Sequence, residues 1–252
     1  MSDRNARPNS RLTPAQSDRW LVLSLLGLGL PIFLLGLGSP ALYDPHESLY
    51  AEIAREMVVR GDWLTPHLNG PRYLDKPPLF YWLIAVSYTV FGVSEFSARL
   101  PVALAGLGGV LVTWGIGRHL FDGRSGALAG LVLTTSVGYF VFSRQLLPDM
   151  VFACFTTLSF YAFLCAGEEG RAREPWSLLA YLCLALAVMT KGFVGLFPLG
   201  GSCHLRVAER QLSCPAGAKI PLGRSAVLPV DRSLASHHRL AARGILLALF
   251  RQ

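Results

Sequence analysis

Residues 79–92 read LFYWLIAVSYTVFG, an unbroken apolar run between Pro77-Pro78 and the end of the segment at Gly92. Whether this run crosses a bilayer decides the sidedness of every loop that follows it. Its 14 residues make about 21 Å of helix, against a hydrocarbon core about 30 Å thick. The run is therefore expected to be interfacial or re-entrant and not to cross.

Longer apolar runs flank it. Upstream, 20–37 is 18 residues without a charge, longer than the core of a cleaved signal peptide and read as a first transmembrane helix. Downstream, 100–117, 126–142, 150–166 and 177–200 are each of spanning length. Arg4, Arg7, Arg11 and Arg19 precede the first helix and place segment 1–19 in the cytoplasm by the positive-inside rule. Segment 41–78 then emerges on the outer face and 100–117 returns inward. The connector 118–125, with Arg118 and Arg124, is cytoplasmic, 126–142 runs outward, 150–166 inward and 177–200 outward. On this count Asp149 shares the outer face with segment 41–78.

Composition agrees. The chain has 252 residues, 52% hydrophobic and only 15% charged, with mean hydropathy +0.42. A soluble domain carries about 25% charged residues, so a soluble globule is excluded, as are a disordered chain and a disulfide scaffold. The expected class is an all-α polytopic membrane protein. The net charge of +7 does not point to nucleic acid. Residues 1–200 hold 15 Lys and Arg against 14 Asp and Glu, whereas the last 52 hold 8 against 2. Five cysteines show no CxxC spacing, and no metal site or cofactor is expected.

The outer segment 41–78 is the most charged part of the first 200 residues. Within it Leu49, Tyr50, Ile53, Ala54 and Met57 recur at helical spacing, with Glu52, Arg55 and Glu56 on the other face. This predicts an amphipathic helix lying along the membrane surface. Gly61, Pro66, Gly70 and Pro71 then make loop.

Ionisable residues are scarce enough to be informative. Lys76 and Lys191 are the only lysines in residues 1–200. Lys76 sits before the stiff Pro77-Pro78 pair, and Lys191 is read as lying inside an apolar helix, where an amine costs a few kcal/mol and marks function by default. Snorkelling is the plainer alternative for Lys191. Asp149 follows Pro148 at a helix start, and Asp44 and Glu47 open the surface helix. Each acid taken singly could be a cap. Together, carboxylates at 44, 47, 75 and 149 and lone amines at 76 and 191 on one face suit a base beside a phosphate anchor.

The sequence resembles the membrane glycosyltransferases of family 39, nearest to the aminoarabinose (lipid A) transferases and related to the protein O-mannosyltransferases. The resemblance is carried by Asp44-Pro45-His46-Glu47-Ser48-Leu49-Tyr50-Ala51-Glu52, then Gly61-Asp62-Trp63 and Asp75-Lys76-Pro77-Pro78. Arg99-Leu100-Pro101, Leu147-Pro148-Asp149-Met150 and Thr190-Lys191-Gly192 follow in order. It covers about residues 20–200.

The resemblance implies a GT-C multi-helix bundle with juxtamembrane helices in the first periplasmic loop, 41–99. It implies a multi-pass protein of the cell inner membrane that moves a sugar from an undecaprenyl-phosphate donor to a lipid or protein acceptor. By position, Asp44, Glu47 and Asp149 would be catalytic, and His46, Tyr73, Asp75, Lys76 and Lys191 would bind substrate. The family usually shows Asp-Glu where this chain has His46-Glu47, and often Arg where it has Leu49. His46 is then a further candidate base, since histidine titrates near neutral pH. The rival classes are a protein O-mannosyltransferase-like enzyme and a non-enzymatic membrane protein such as a transporter fragment, though no repeated, interrupted helices are visible.

After residue 200 the character changes. Residues 201–252 carry seven arginines and Lys219 among scattered Ser, His and Pro, with no run long enough to span. They are expected to be a basic, non-homologous tail, disordered or frame-shifted, and the chain is read as truncated.

Overall fold

The computed structural model describes residues 14–43, 45–167 and 173–196. The expectations for segment 1–13, for Asp44 and for the tail 201–252 fall outside the described residues. The described residues form eight α-helices and a closing 3-10 turn, with no strand among them. The helices are α1 (Pro14–Leu34), α2 (His46–Arg60), α3 (Leu79–Phe91), α4 (Glu95–Leu120), α5 (Gly123–Thr135), α6 (Val137–Phe142), α7 (Pro148–Gly167) and α8 (Arg173–Lys191). Four spans are long and apolar enough to cross a membrane: Gln16–Leu34, Glu95–Leu120, Pro148–Gly167 and Glu174–Gly195. Large apolar side chains such as Leu23, Val132, Leu178 and Leu182 stay about half exposed or more along these walls. Such a surface needs a non-aqueous solvent, and this is an integral membrane protein.

Contacts at the helix ends sort the bundle into two poles. At one pole Asp18 of α1 pairs with Arg118 of α4 at 2.9 Å, and Gly123 of α5 lies against Asp18. There too the rings of His119, Tyr161 and Trp176 stack edge to face, joining the ends of α4 and α7 to the start of α8. At the other pole Arg99 near the start of α4 reaches Leu37, Pro40 and Ala41 beyond α1. Arg144 after α6 reaches the Ile32 and Phe33 carbonyls of α1, and Asp149 of α7 meets Lys191 of α8. Hence α1, α4, α5–α6, α7 and α8 alternate in direction, and α3 adds no passage. At 13 residues α3 packs beside α4 and α8 at the second pole, called the outer pole after the sidedness expected from the sequence.

Three expectations are corrected. The run 126–142 is not one helix: it breaks at Ser136, whose ψ of 122° is extended. The Thr134 and Thr135 hydroxyls bond back to the Gly130 and Leu131 carbonyls, a back-bonding that bends helices. Tyr139 of α6 then donates to the Gly106 carbonyl of α4 at 2.7 Å. The run 177–200 also ends early. α8 stops at Lys191, Gly192 takes φ +74°, and a 3-10 turn follows over Gly192–Leu196. Lys191 is thus the last residue of its helix, not an interior one.

The third correction concerns α2. Its apolar face does not rest on lipid. Tyr50, Ile53, Ala54 and Met57 are buried in one cluster with Phe80, Tyr81 and Ile84 of α3 and Met150 and Val151 of α7. Both ends of α2 suit a helix in polar surroundings, with Glu47 in the first turn and Gly61 in the left-handed conformation after the last.

Small residues let the crossing helices close. A Cβ on Gly126 would meet the Trp114 carbonyl oxygen of α4, and one on Gly117 would sit 2.6 Å from the Gly126 Cα. Gly126→Val should therefore lower the thermal midpoint of the detergent-solubilised chain by an amount corresponding to about 3 kcal/mol or more. Gly138→Ala, where a Cβ meets nothing within 4 Å, should leave the midpoint unchanged or raise it.

Candidate active site

The outer pole is organised by a buried charge pair. Arg99 and Glu47 are each 4% exposed, 52 residues apart in sequence. The Arg99 Nε donates to Glu47 Oε1 at 3.1 Å and Nη2 to Oε2 at 2.7 Å. The remaining guanidinium hydrogens go to the carbonyls of Leu37 (3.1 Å), Pro40 (2.7 Å) and Ala41 (2.9 Å). All five donors of the fork are used. Glu47 also accepts from the backbone N–H groups of Tyr43 at 2.8 Å and Leu146 at 2.6 Å. Burial pushes its carboxyl up, but the bonds from Arg99, Tyr43 and Leu146 outweigh that and hold it below the ordinary carboxylate value.

This pair fixes the two segments that carry the other candidates. His46, exposed at the first position of α2, directly precedes Glu47. Asp149 opens α7 three residues after Leu146. Asp149 Oδ1 accepts from Lys191 Nζ at 2.6 Å across 42 residues. The ammonium also lies 5.8 Å from the Phe152 ring centroid. Neither group is sealed: Asp149 is 45% and Lys191 28% exposed at the side chain, so this pair faces an accessible space. A lysine at a helix C-terminus is favoured by the macrodipole, and the positive φ of Gly192 ends α8 there.

Lys76 is placed by a braced loop. Asp62 Oδ1 accepts from the N–H groups of Leu64 and Thr65, and His67 and Arg72 form an antiparallel bridge. Asn69 (φ 54°) and Gly70 (φ 108°) turn the tip, and Asn69 N–H donates to Glu56 of α2. The Tyr73 N–H returns to the Pro66 carbonyl at 2.8 Å, which aims Asp75 and Lys76 at the start of α3. Lys76 Nζ donates to Asp75 at 3.2 Å. Burial pulls its ammonium down, but Asp75 and the Tyr50 phenol raise it above the usual lysine value. Beneath them Tyr81, 1% exposed, has no partner for its hydroxyl among the described residues. Burial, with Tyr50, Tyr73 and Asp75 near, pushes that phenol well above its ordinary value.

Of the candidates from the sequence, Asp149 and Lys191 are in direct contact, Asp75 and Lys76 form a second pair, and Tyr73 packs against the cluster under both. His46 stands exposed at the head of α2, and Asp44 is outside the described residues. Glu47 is present but closed off, since its oxygens are already taken by four donors. The residues that the sequence reading did not single out are Tyr50, Tyr81, Arg144 and, as more than a motif member, Arg99. An arginine at the mouth of a spanning run is itself a signal of a buried partner.

Residues 75–213 match the family described as dolichyl-phosphate-mannose-protein mannosyltransferase. The chain belongs to this family, the GT-C membrane glycosyltransferases of family 39. It is 34% identical over 182 residues to the undecaprenyl phosphate-alpha-4-amino-4-deoxy-L-arabinose arabinosyl transferase 2 of Pseudomonas fluorescens (strain Pf0-1), covering 71% of this chain and 33% of the relative. The corresponding transferase of Aeromonas salmonicida is 36% identical over 184 residues, covering 69% and 33%. Two crystal structures of ArnT from Cupriavidus metallidurans, one apo and one bound to undecaprenyl phosphate, superpose with TM-score 0.70 at 31% identity. They cover 77% of this chain and 37% and 36% of theirs. The chain spans about a third of the length of the curated relatives it matches. The GT-C fold expected of the family is the one observed.

Removing one partner of the buried pair strands the other charge. Arg99→Met or Glu47→Gln should each cost about 3–5 kcal/mol, read as a lowered thermal midpoint in detergent. The carboxyl's folded-state value lies below its unfolded one, so its stabilisation is complete above about pH 4.5 and is lost as pH falls through the folded value. Melting profiles between pH 7 and pH 3 should show this decline, and Glu47→Gln should remove Glu47's share of it.

Proposed function

We propose that this chain is the substrate-binding part of an inner-membrane glycosyltransferase that uses an undecaprenyl-phosphate-linked sugar. The observation that supports it best is the meeting of Asp149 and Lys191, paired at 2.6 Å at the same pole as Lys76. Both amines are held next to a carboxylate and partly open, as an anchor for a phosphate must be before the ligand arrives. The relatives' printed names specify such a donor, and one solved neighbour carries undecaprenyl phosphate. A groove of about 410 Å³ between α3, α4 and α7 is lined by Leu83, Val86, Leu104, Val151 and Phe155. It begins two residues beyond Asp149 and suits an isoprenoid chain.

In the reaction an acceptor oxygen attacks the anomeric carbon as its bond to the phosphate oxygen breaks. The phosphate leaves with the bonding electrons, and the acceptor proton passes to a base. Lys76 and Lys191 stabilise the charge that develops on the leaving phosphate. Asp149, freed from Lys191 by the incoming phosphate, and His46 are the groups with room to take the proton. Glu47 is a positioning residue, since every lone pair it could offer is occupied. The lipid A-like acceptor follows the arabinosyl transferase relatives. A protein acceptor is the second reading, favoured by the description of the matched family. Segment 201–252 lies mostly past the end of the family match at residue 213, and we propose that it is not part of the catalytic unit.

Lys76→Ala should weaken binding of undecaprenyl phosphate to the purified chain about tenfold or more, as loss of a charge-assisted bond implies. Asp149→Asn should keep that binding and lower sugar transfer to lipid A by about a hundredfold or more. Unchanged binding in the first and unchanged transfer in the second would remove the site. Transfer to a peptide in place of lipid A would support the second reading.

A further inference from the structure

At the pole opposite Asp149 and Lys191, the surface between α1 and α5 carries a groove that the transfer reaction does not use. Its walls are Leu21, Leu25 and Leu28 from α1 and Ala127, Leu128 and Leu131 from α5. On each helix these positions recur at helical spacing, so the groove runs along both axes. Seven residues of rise make it about 10 Å long, much of the roughly 15 Å depth of one leaflet's hydrocarbon. Its volume is about 490 Å³. The walls remain open, with Leu128 62% and Leu28 39% exposed.

Arg124 closes one end of the groove. It is exposed in the first turn of α5, where the macrodipole opposes a cation, so it does not serve the helix. Its charge is felt by Asp122 two residues away, but it forms no close ion pair among the described residues. Asp122 caps α5 by accepting from the Ser125 N–H at 2.7 Å, and Asp18 is bound to Arg118 at 2.9 Å. Arg19, also exposed, adds a second cation at the same end of α1. Ser24, the one polar residue on the groove wall besides Arg124, donates its hydroxyl to the Trp20 carbonyl. Among the described residues, what remains is an apolar trough whose one charged lining residue, Arg124, stands at its end.

We propose that this groove is a binding site for a glycerophospholipid with an anionic headgroup. One acyl chain lies between α1 and α5, and the phosphate rests on Arg124. A packed protein helix would not need a cation at the mouth, and a zwitterionic lipid would bring its own ammonium to an end that already carries two arginines. Arg124 faces the cytoplasmic leaflet in the topology given above, where anionic lipid is attracted by basic juxtamembrane residues.

Native mass spectrometry of the purified full chain, with phosphatidylglycerol and phosphatidylethanolamine of matched acyl chains added in turn, tests the site. Wild type should retain phosphatidylglycerol at least tenfold better than phosphatidylethanolamine. Arg124→Gln should lose that preference and Arg124→Lys should keep it. Leu128→Trp should exclude both lipids by filling the trough. Equal retention of the two lipids by wild type, or undiminished preference in Arg124→Gln, overturns the proposal. A dimer that forms through this face in place of bound lipid, and that Leu128→Trp disperses, also overturns it. Circular dichroism checks that each variant keeps its helix content. If Leu128→Trp does not fold, the Arg124→Gln and Arg124→Lys pair decides alone.

Discussion

A single buried ion pair holds the outer pole together. Desolvating a guanidinium and a carboxylate costs several kcal/mol each, and their attraction offsets this only when the remaining donors and acceptors are also met. Here they are. Arg99 spends five N–H groups on Glu47 and on three carbonyls past the end of α1. Glu47 spends its oxygens on Arg99, Tyr43 and the approach to α7. Four chain segments, two of them joined across 99 residues, thereby share one polar node, and carbonyls that would otherwise be orphaned beyond α1 are satisfied. Arg144 completes the same task one turn earlier, and burial together with Arg99 draws its guanidinium below the ordinary value.

The rest of the bundle follows membrane rather than aqueous logic. Apolar burial drives little where the solvent is itself apolar, so helices meet through small residues and stray hydrogen bonds. Gly117 and Gly126 at the α4–α5 crossing, and the Ser159 hydroxyl on the Ala180 carbonyl between α7 and α8, are of that kind. A second apolar cluster, with Leu25, Phe33, Leu107 and Val110, lies among the spanning helices, whereas at the outer pole α2 and α3 bury Tyr50, Phe80 and Tyr81 in edge-to-face and tilted contacts. The site thus sits on the part of the molecule built most like a soluble domain. Lys76 and Asp75 rise from its loop, while Asp149 and Lys191 come from the spanning helices beneath.

Much of this was legible beforehand because length and charge speak directly to a bilayer. The 79–92 run was too short to cross, and the longer runs on either side of it had to alternate in direction. From those two facts alone Asp149 falls on the face of segment 41–78. The break at Ser136 was invisible to hydropathy, because Thr134 and Thr135 are neutral on that scale and act through their hydroxyls. Lys191 read as an interior lysine because the residues after Gly192 are as apolar as those before it, and only backbone torsion separates them. The burial of Glu47 was not legible, because Arg99, which binds it, is 52 positions away with no local pattern to link them. Family likeness pointed to both residues separately, and the structure shows them bonded to one another.

The divided α5–α6 passage cannot stand on its own length. The α5 portion has 13 residues and the α6 portion 6, with three consecutive hydroxyl side chains at the joint. Neither piece spans a hydrocarbon core alone. The passage therefore leans on α4, through the glycine seam at one end and the Tyr139 hydroxyl on the Gly106 carbonyl at the other.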